Sequence, residues 1–334
     1  MKIPSFVIYA LALVMSAPAM AAETLTVYST RREQLLQPII QAYTAKTGNT
    51  VKVVYDSEGP LLEKLKQEGA KSPADVLLVV DAGNLWRAAD LGLLQPTKSS
   101  ALEKTVPAAL RDPQGQWYAI TRRVRGIVYN PNKVKASDLS TYEDLANEKW
   151  KGKLCLRSSN KVYNQSLVAM MIERLGADET KKVVQGWVGN LGAKVFSDDT
   201  SLIKALENGP CQVGIVNSYY LGNLLKNNPE FPAKIFWPNQ SSSGAHVNIS
   251  GAGVTKSSQK KKVAQEFIEW MVSDEAQKLL SDMNLEFPVK DTLTKDLNPI
   301  LQGFGSFKAD SINLTTAGKR QKEAVMLMDS VGYQ

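Results

Sequence analysis

The run Asp75-Val76-Leu77-Leu78-Val79-Val80 constrains this chain more than any other stretch. Its apolar residues follow one another without alternation. A strand of that kind has both faces covered, as in parallel sheets wrapped by helices. The stretches 25–28 and 51–55 read as the preceding strands. Between them, 33–47 carries Leu36, Ile39, Ile40 and Tyr43 at helical spacing, with Gly48 as a stop. The stretch 60–69 opens with a proline in its first turn, and 84–91 ends at Gly92. Strand and helix alternate, which predicts an α/β fold with a mainly parallel sheet. Ligands of such sheets bind at the carboxyl ends of strands. The ends at 29–32, 56–59 and 81–83 are therefore expected to form one wall of a cleft.

Two strand-like stretches, 117–120 and 126–129, flank Arg122, Arg123 and Arg125 and mark the passage to a second half. That half repeats the alternation: strand 153–156, loop Arg157-Ser158-Ser159-Asn160, helices 165–175 and 179–191, strand 194–196, helix 200–207 and strand 212–216. Near Ser250-Gly251-Ala252-Gly253-Val254 the chain crosses back. The helix 261–271 then belongs to the first half, and 315–331 reads as one last amphipathic helix.

At the amino end, Lys2, the apolar stretch 6–15 and Ala19-Met20-Ala21 have the pattern of a secretion signal over 1–21, cleaved after Ala21. No cysteine stands directly after that point, so the expectation is a soluble exported protein without a lipid anchor. About 310 residues remain, enough for two domains. The net charge of +7 is spread along the chain and does not single out nucleic acid, although it favours an anionic ligand or co-ligand. Cys155 and Cys211 are an even pair in an exported protein and read as one disulfide. A thiolate metal site would want more cysteines or a histidine partner, and His246 is the single histidine.

The chemistry centres on Asn217-Ser218-Tyr219-Tyr220, where a strand ends and a helix begins. Asn217 and Ser218 suit an N-cap. At such a corner two neighbouring phenols can converge on one point. Phenols near pKa ~10 lose their protons to a hard, highly charged cation. The other reading is a pair of half-buried amphipathic aromatics. Tyr163 follows the loop 157–160 and is expected there with them, on the same side of the cleft. The turn at Ser159 and Asn160 can either bind an anion through its N–H groups or simply cap a helix. The arginines can hold an anion or form a solvated edge. Glu58 and Asp81 are a candidate carboxylate pair, and no nucleophile–base pair is visible, so an enzyme is not expected.

The chain resembles the periplasmic ferric-ion-binding proteins, the solute-binding components of bacterial iron(III) ABC importers. The resemblance rests on Val27-Tyr28-Ser29-Thr30-Arg31, Ser72-Pro73-Ala74-Asp75-Val76, Asp81-Ala82-Gly83-Asn84-Leu85, Ser158-Ser159-Asn160 through Tyr163-Asn164-Gln165-Ser166, Asn217-Ser218-Tyr219-Tyr220 and Ser250-Gly251-Ala252-Gly253. It implies a two-lobed periplasmic binding fold, each lobe a mostly parallel sheet flanked by helices, joined by two crossover strands. The expected lobes are 22–121 with 250–298, and 122–249 with 299–334. By resemblance, Tyr163, Tyr219 and Tyr220 would ligate Fe3+, and carbonate or another small synergistic anion would lie near Ser159, Asn160, Arg32, Arg123 or Arg125. Family members often place His, or His then Tyr, after the first strand, where this chain has Arg32 and Glu33. Some carry a glutamate near the end of the third strand, where Val80 stands beside Asp81. Glu33 and Asp81 are thus the candidate first-lobe ligands. The implied protein is a periplasmic monomer that delivers iron to an inner-membrane permease and its ATPase. Its only membrane contact would be with that permease. The alternative is a metal-free binder of an organic anion or phosphonate.

Overall fold

A computed structural model describes residues 22–334 except 291–292 and 294–296; the expected secretion signal lies outside the described residues. Among the described residues, nine strands form one mixed sheet: β1 Thr24–Ser29, β2 Thr50–Tyr55, β3 Val76–Val80, β4 Tyr118–Tyr129, β5 Leu154–Cys155, β6 Val213–Asn217, β7 Lys234–Phe236, β8 Val247–Val254 and β9 Phe287–Pro288. The strand order is β2-β1-β3-β8-β4-β6-β5, with β7 and β9 also on β4. The pairs β1/β2, β1/β3 and β5/β6 are parallel. Every pair involving β4 or β8 is antiparallel.

The helices are α1 Glu33–Thr47, α2 Glu58–Glu68, α3 Ala82–Asp90, α4 Ser100–Thr105, α5 Val162–Leu175, α6 Ala177–Gly189 and α7 Asp199–Asn208, followed by α8 Ser218–Asn227, α9 Lys261–Met271, α10 Asp274–Asn284, α11 Pro299–Gly303, α12 Thr315–Lys319 and α13 Gln321–Ser330. The stop expected at Gly48 is real: its φ of 77° is left-handed, and its N–H closes on Thr44 O. Among the described residues no helix is long and apolar enough to cross a membrane.

The strand β4 joins the two lobes. Its first half pairs with β8 as far as Val124↔Val247, and its second half pairs with β6 from Arg125↔Asn217 onward. The sequence reading broke this strand in two at the arginines. It runs unbroken because each of those side chains is buried among partners of its own rather than sent to solvent.

Gly251 and Gly253, too short a run and without the following helix for a dinucleotide fingerprint, serve packing in β8. A Cβ on Gly253 would stand 2.3 Å from Gln116 O, and one on Gly251 would stand 2.8 Å from Tyr118 O.

The apolar interior falls into three clusters. One gathers around β1, β3, β8 and the first half of β4, and the other two contact the sheet at β5 and β6. Leu301, Leu314 and Ala317 join the first, whereas Ala324, Leu327, Met328 and Tyr333 join the second. The single helix expected over 315–331 is accordingly two, broken at Arg320, whose ψ of 4° departs from the helical value. Cys155 and Cys211 form the expected disulfide, with Cα atoms 5.5 Å apart across a sequence separation of 56. Closing a loop of that length stabilises the fold by about 2–4 kcal/mol, largely by restricting the unfolded chain.

Candidate metal centre

A cleft of about 860 Å³ opens at the carboxyl ends of the strands. One wall carries Thr30, Arg31, Arg32, Glu58 and Val80, with Met283, Asn284 and Glu286; the other carries Tyr163, Thr200, Tyr219, Tyr220 and Asn223; Arg123 also lines it. The ends of β1 and β2 contribute as the alternation predicts. At the third end only Val80 reaches the cleft.

Tyr219 and Tyr220 occupy the first turn of α8, directly after β6 ends at Asn217. Their ring centroids are 4.2 Å apart and tilted by 31°. Asn217 holds the N-cap position, but its side chain caps nothing; its Oδ1 instead accepts from Arg125 Nη1 at 3.3 Å. Tyr163 also lies in a first helical turn, that of α5, rather than in the preceding loop. Two helix starts therefore deliver three phenols to one cleft. The guanidinium of Arg157 lies 5.2 Å from the Tyr163 ring centroid and that of Arg123 lies 6.0 Å away. Arg157 Nη1 also donates to Tyr220 Oη at 3.5 Å.

Burial pushes the Tyr163 hydroxyl above the usual phenol range, against the pull of Arg123. Burial raises Tyr219 well above that range, and the neighbouring phenols add to it. Both are neutral at pH 7 until something displaces their protons.

A charged cluster underlies the cleft. Glu286 pairs with Arg31 Nη2 at 3.0 Å and Arg123 Nε at 3.5 Å, and it accepts from Thr121 Oγ1. Ser250 Oγ accepts from both guanidiniums at 2.6 Å. Burial alone would raise the Glu286 carboxyl, but Arg31 and Arg123 outweigh it and hold the group below the usual range. For Arg123, burial opposes the charge, and Glu286 together with Tyr163, Tyr219 and Asp81 more than restores it.

Several expected residues lie elsewhere. Arg125 is fully buried beneath the helix starts, bonding Asn164 Oδ1 at 2.7 Å and Ile215 O at 3.0 Å, with Asp199 at 3.7 Å. It braces the tyrosine-bearing elements and does not face a ligand. Ser159 is turned toward the chain end, its N–H bonding Gln334 O at 3.0 Å, and Asn160 is exposed; neither lines the cleft. Glu33 is exposed at the start of α1, outside the cleft.

Asp81 is fully buried and caps α3. Its carboxylate accepts from Gly83 N, Ser166 Oγ and Asn248 Nδ2 at 2.7, 2.8 and 2.5 Å, and burial pushes it up to about 6. With its oxygens spent there, it forms no pair with Glu58. His246 is buried away from the cleft and stays neutral, pushed down to about 3 by burial and by Arg125. Arg32 and Arg123 do line the cleft. Sequence reasoning missed Asn284 and Glu286, which no motif marks; Arg31 was expected in the cleft-wall loop at 29–32, and its pairing with Glu286 was not foreseen. Among the described residues no group of three His, Cys, Asp or Glu side chains forms a metal cluster. The convergent donors of the cleft are its phenols.

Comparison with known proteins places this cleft in context. Residues 71–304 match the family described as bacterial extracellular solute-binding protein. Iron uptake protein A1 of Synechocystis sp. is 40% identical over 320 residues, spanning 93% of this chain and 88% of that one. The solved structure of Trichodesmium IdiA (FutA) in complex with iron and citrate ligands superposes with a TM-score of 0.89 at 44% identity, covering 93% of this chain and 100% of that one. Apo FutA2 from Synechocystis gives 0.88 at 37% identity, over 94% and 100%.

Proposed function

The chain belongs to the bacterial extracellular solute-binding proteins, and on that premise we propose that it is the iron(III)-binding component of an ABC importer. Tyr163, Tyr219 and Tyr220 hold Fe3+ as tyrosinates in the cleft, and a small anion such as carbonate completes the shell. The observation that carries this reading is the convergence of three phenols from two helix starts beside a cationic floor. Iron(III) is a hard cation that suits oxygen donors, and three phenolates neutralise its charge. The relatives named for iron uptake and for an iron–citrate complex support the same cargo.

The lobes, 22–121 with 250–298 and 122–249 with 299–334, close on the cargo by bending where β4 passes from β8 to β6. The mature protein, without residues 1–21, works in the periplasm as a monomer and not as an enzyme, and it hands iron to an inner-membrane permease with its ATPase. Protonation of the phenolates, loss of the anion or reduction to iron(II) would release the cargo.

Because Tyr163 and Tyr219 are protonated in the free protein, binding must expel their protons. Calorimetry in buffers of different ionisation heat is expected to show at least two protons released per iron(III), with affinity falling as pH falls. Release of fewer than two would contradict tyrosinate ligation. The metal-free reading draws on the arginines of the floor, but Arg31 and Arg123 already share Glu286. In the same calorimeter, 2-aminoethylphosphonate without metal is expected to give no binding heat.

A further inference from the structure

The wall opposite the tyrosines carries a side chain that nothing so far has used. Asn284 is 4% exposed and lines the cleft, yet among the described residues neither its Oδ1 nor its Nδ2 has a hydrogen-bond partner. A buried amide with both ends unpaired is rare and calls for an explanation. The next residue, Leu285, takes φ 54° and ψ 33°, a left-handed conformation in which glycine is the usual occupant. Backbone strain of this kind persists where the surroundings impose it and often accompanies binding sites.

Leu285 is fully buried against α8, the helix of the tyrosine pair: a Cβ on Gly222 would meet its Cδ1 at 3.0 Å. Glu286 then enters the Arg31–Arg123 cluster. Three consecutive residues thus present an unpaired amide to the cleft, brace the tyrosine helix and anchor two arginines.

The charge of the cleft indicates what the amide meets. Among its lining residues, three arginines face two carboxylates, leaving one positive charge. Three tyrosinates balance iron(III), so the loaded cleft keeps that surplus. It suits an oxyanion.

We infer that Asn284 contacts the exogenous oxyanion that completes the iron shell, donating through Nδ2 to a carbonate or chelator carboxylate oxygen. It thereby takes the first-lobe role that neither Glu33 nor Asp81 fills. This inference rests on the iron(III) reading above.

The test is iron(III) affinity at pH 7 for the mature parent, Asn284→Ala and Asn284→Asp. Iron is supplied in one series as ferric chloride with bicarbonate and in the other as ferric citrate without it. Apo melting temperatures are recorded alongside. Asn284→Ala is expected to lose about ten- to a hundredfold in affinity, as for a hydrogen bond to a charged group, and Asn284→Asp more, because it repels the anion. The apo melting temperature of Asn284→Ala is not expected to fall, since an unpaired buried amide contributes nothing to folding. Loss in the bicarbonate series alone identifies carbonate, and loss in the citrate series identifies a chelator carboxylate. An Asn284→Ala protein with parental affinity and anion dependence overturns the inference and leaves the iron reading standing. So does one whose affinity falls together with its apo melting temperature while its anion dependence is unchanged. A parent that binds no iron(III) overturns both.

Discussion

Tyr219→Phe combined with Tyr220→Phe is expected to reduce iron(III) affinity by ~10³-fold or more, equivalent to about 4 kcal/mol. Two of three anionic donors vanish, and a hard trivalent cation held by one phenolate has no equivalent donors within this cleft. The fold should survive. Phenylalanine keeps the stacked ring volume at 4.2 Å and removes only the hydroxyls. The bond lost to Arg157 is long, at 3.5 Å, Arg157 keeps Asp199 as its partner, and the hydroxyl contact of Tyr219 with Tyr163 is the other one removed. A parental melting temperature with abolished binding separates ligand loss from unfolding. Equilibrium competition against a chelator of known affinity measures the drop.

Glu286→Ala is expected to act on stability, by about 3–5 kcal/mol at pH 7, because breaking a buried ion pair strands its partner charges. Arg31 and Arg123 are each 3% exposed and would share the floor with no carboxylate between them. The sign of the pH dependence follows from the depressed Glu286 carboxyl. Its contribution is full above the unfolded value, near 4.5, and is lost as pH falls through the lower folded value. The gap between parent and variant should therefore be widest at neutral pH and shrink below that point. Asp81 works in the opposite direction. Its folded value is raised to about 6 from 3.8, so the folded chain takes up a proton first and gains stability as pH falls through that interval. Denaturant unfolding at several pH values tests both signs.

The parts of the fold legible in the sequence were those with local physics. The unbroken apolar run of β3, the helical stripe of α1 and its glycine stop depend on neighbours within a few positions, and they appear where the pattern puts them. The paired tyrosines were legible as a strand-to-helix corner, and the disulfide was legible from compartment and count.

What stayed hidden depends on long separations or on direction. Glu286 meets Arg31 across a separation of 255 positions with no local signal, and Asn284 reaches the same cleft wall from the end of α10. Arg123 and Arg125 look alike in sequence. One strand carries the first to the cleft floor and the second beneath the helices, because pairing passes from β8 to β6 between them. Glu33 and Arg32 are adjacent, yet the turn into α1 sends only Arg32 to the cleft. Asp81 was a candidate because it stands beside Val80, where the resembled family carries a glutamate, but its oxygens are taken by Gly83 N at the start of α3 and by Ser166 and Asn248.

The most direct test of tyrosinate ligation is the visible spectrum of the mature parent, titrated with iron(III) in the presence and absence of bicarbonate. The account predicts a phenolate-to-iron charge-transfer band in the blue-green region that saturates at one iron per chain and strengthens with the anion. A protein that binds iron(III) tightly without such a band, or that stays colourless and binds no iron, would contradict it.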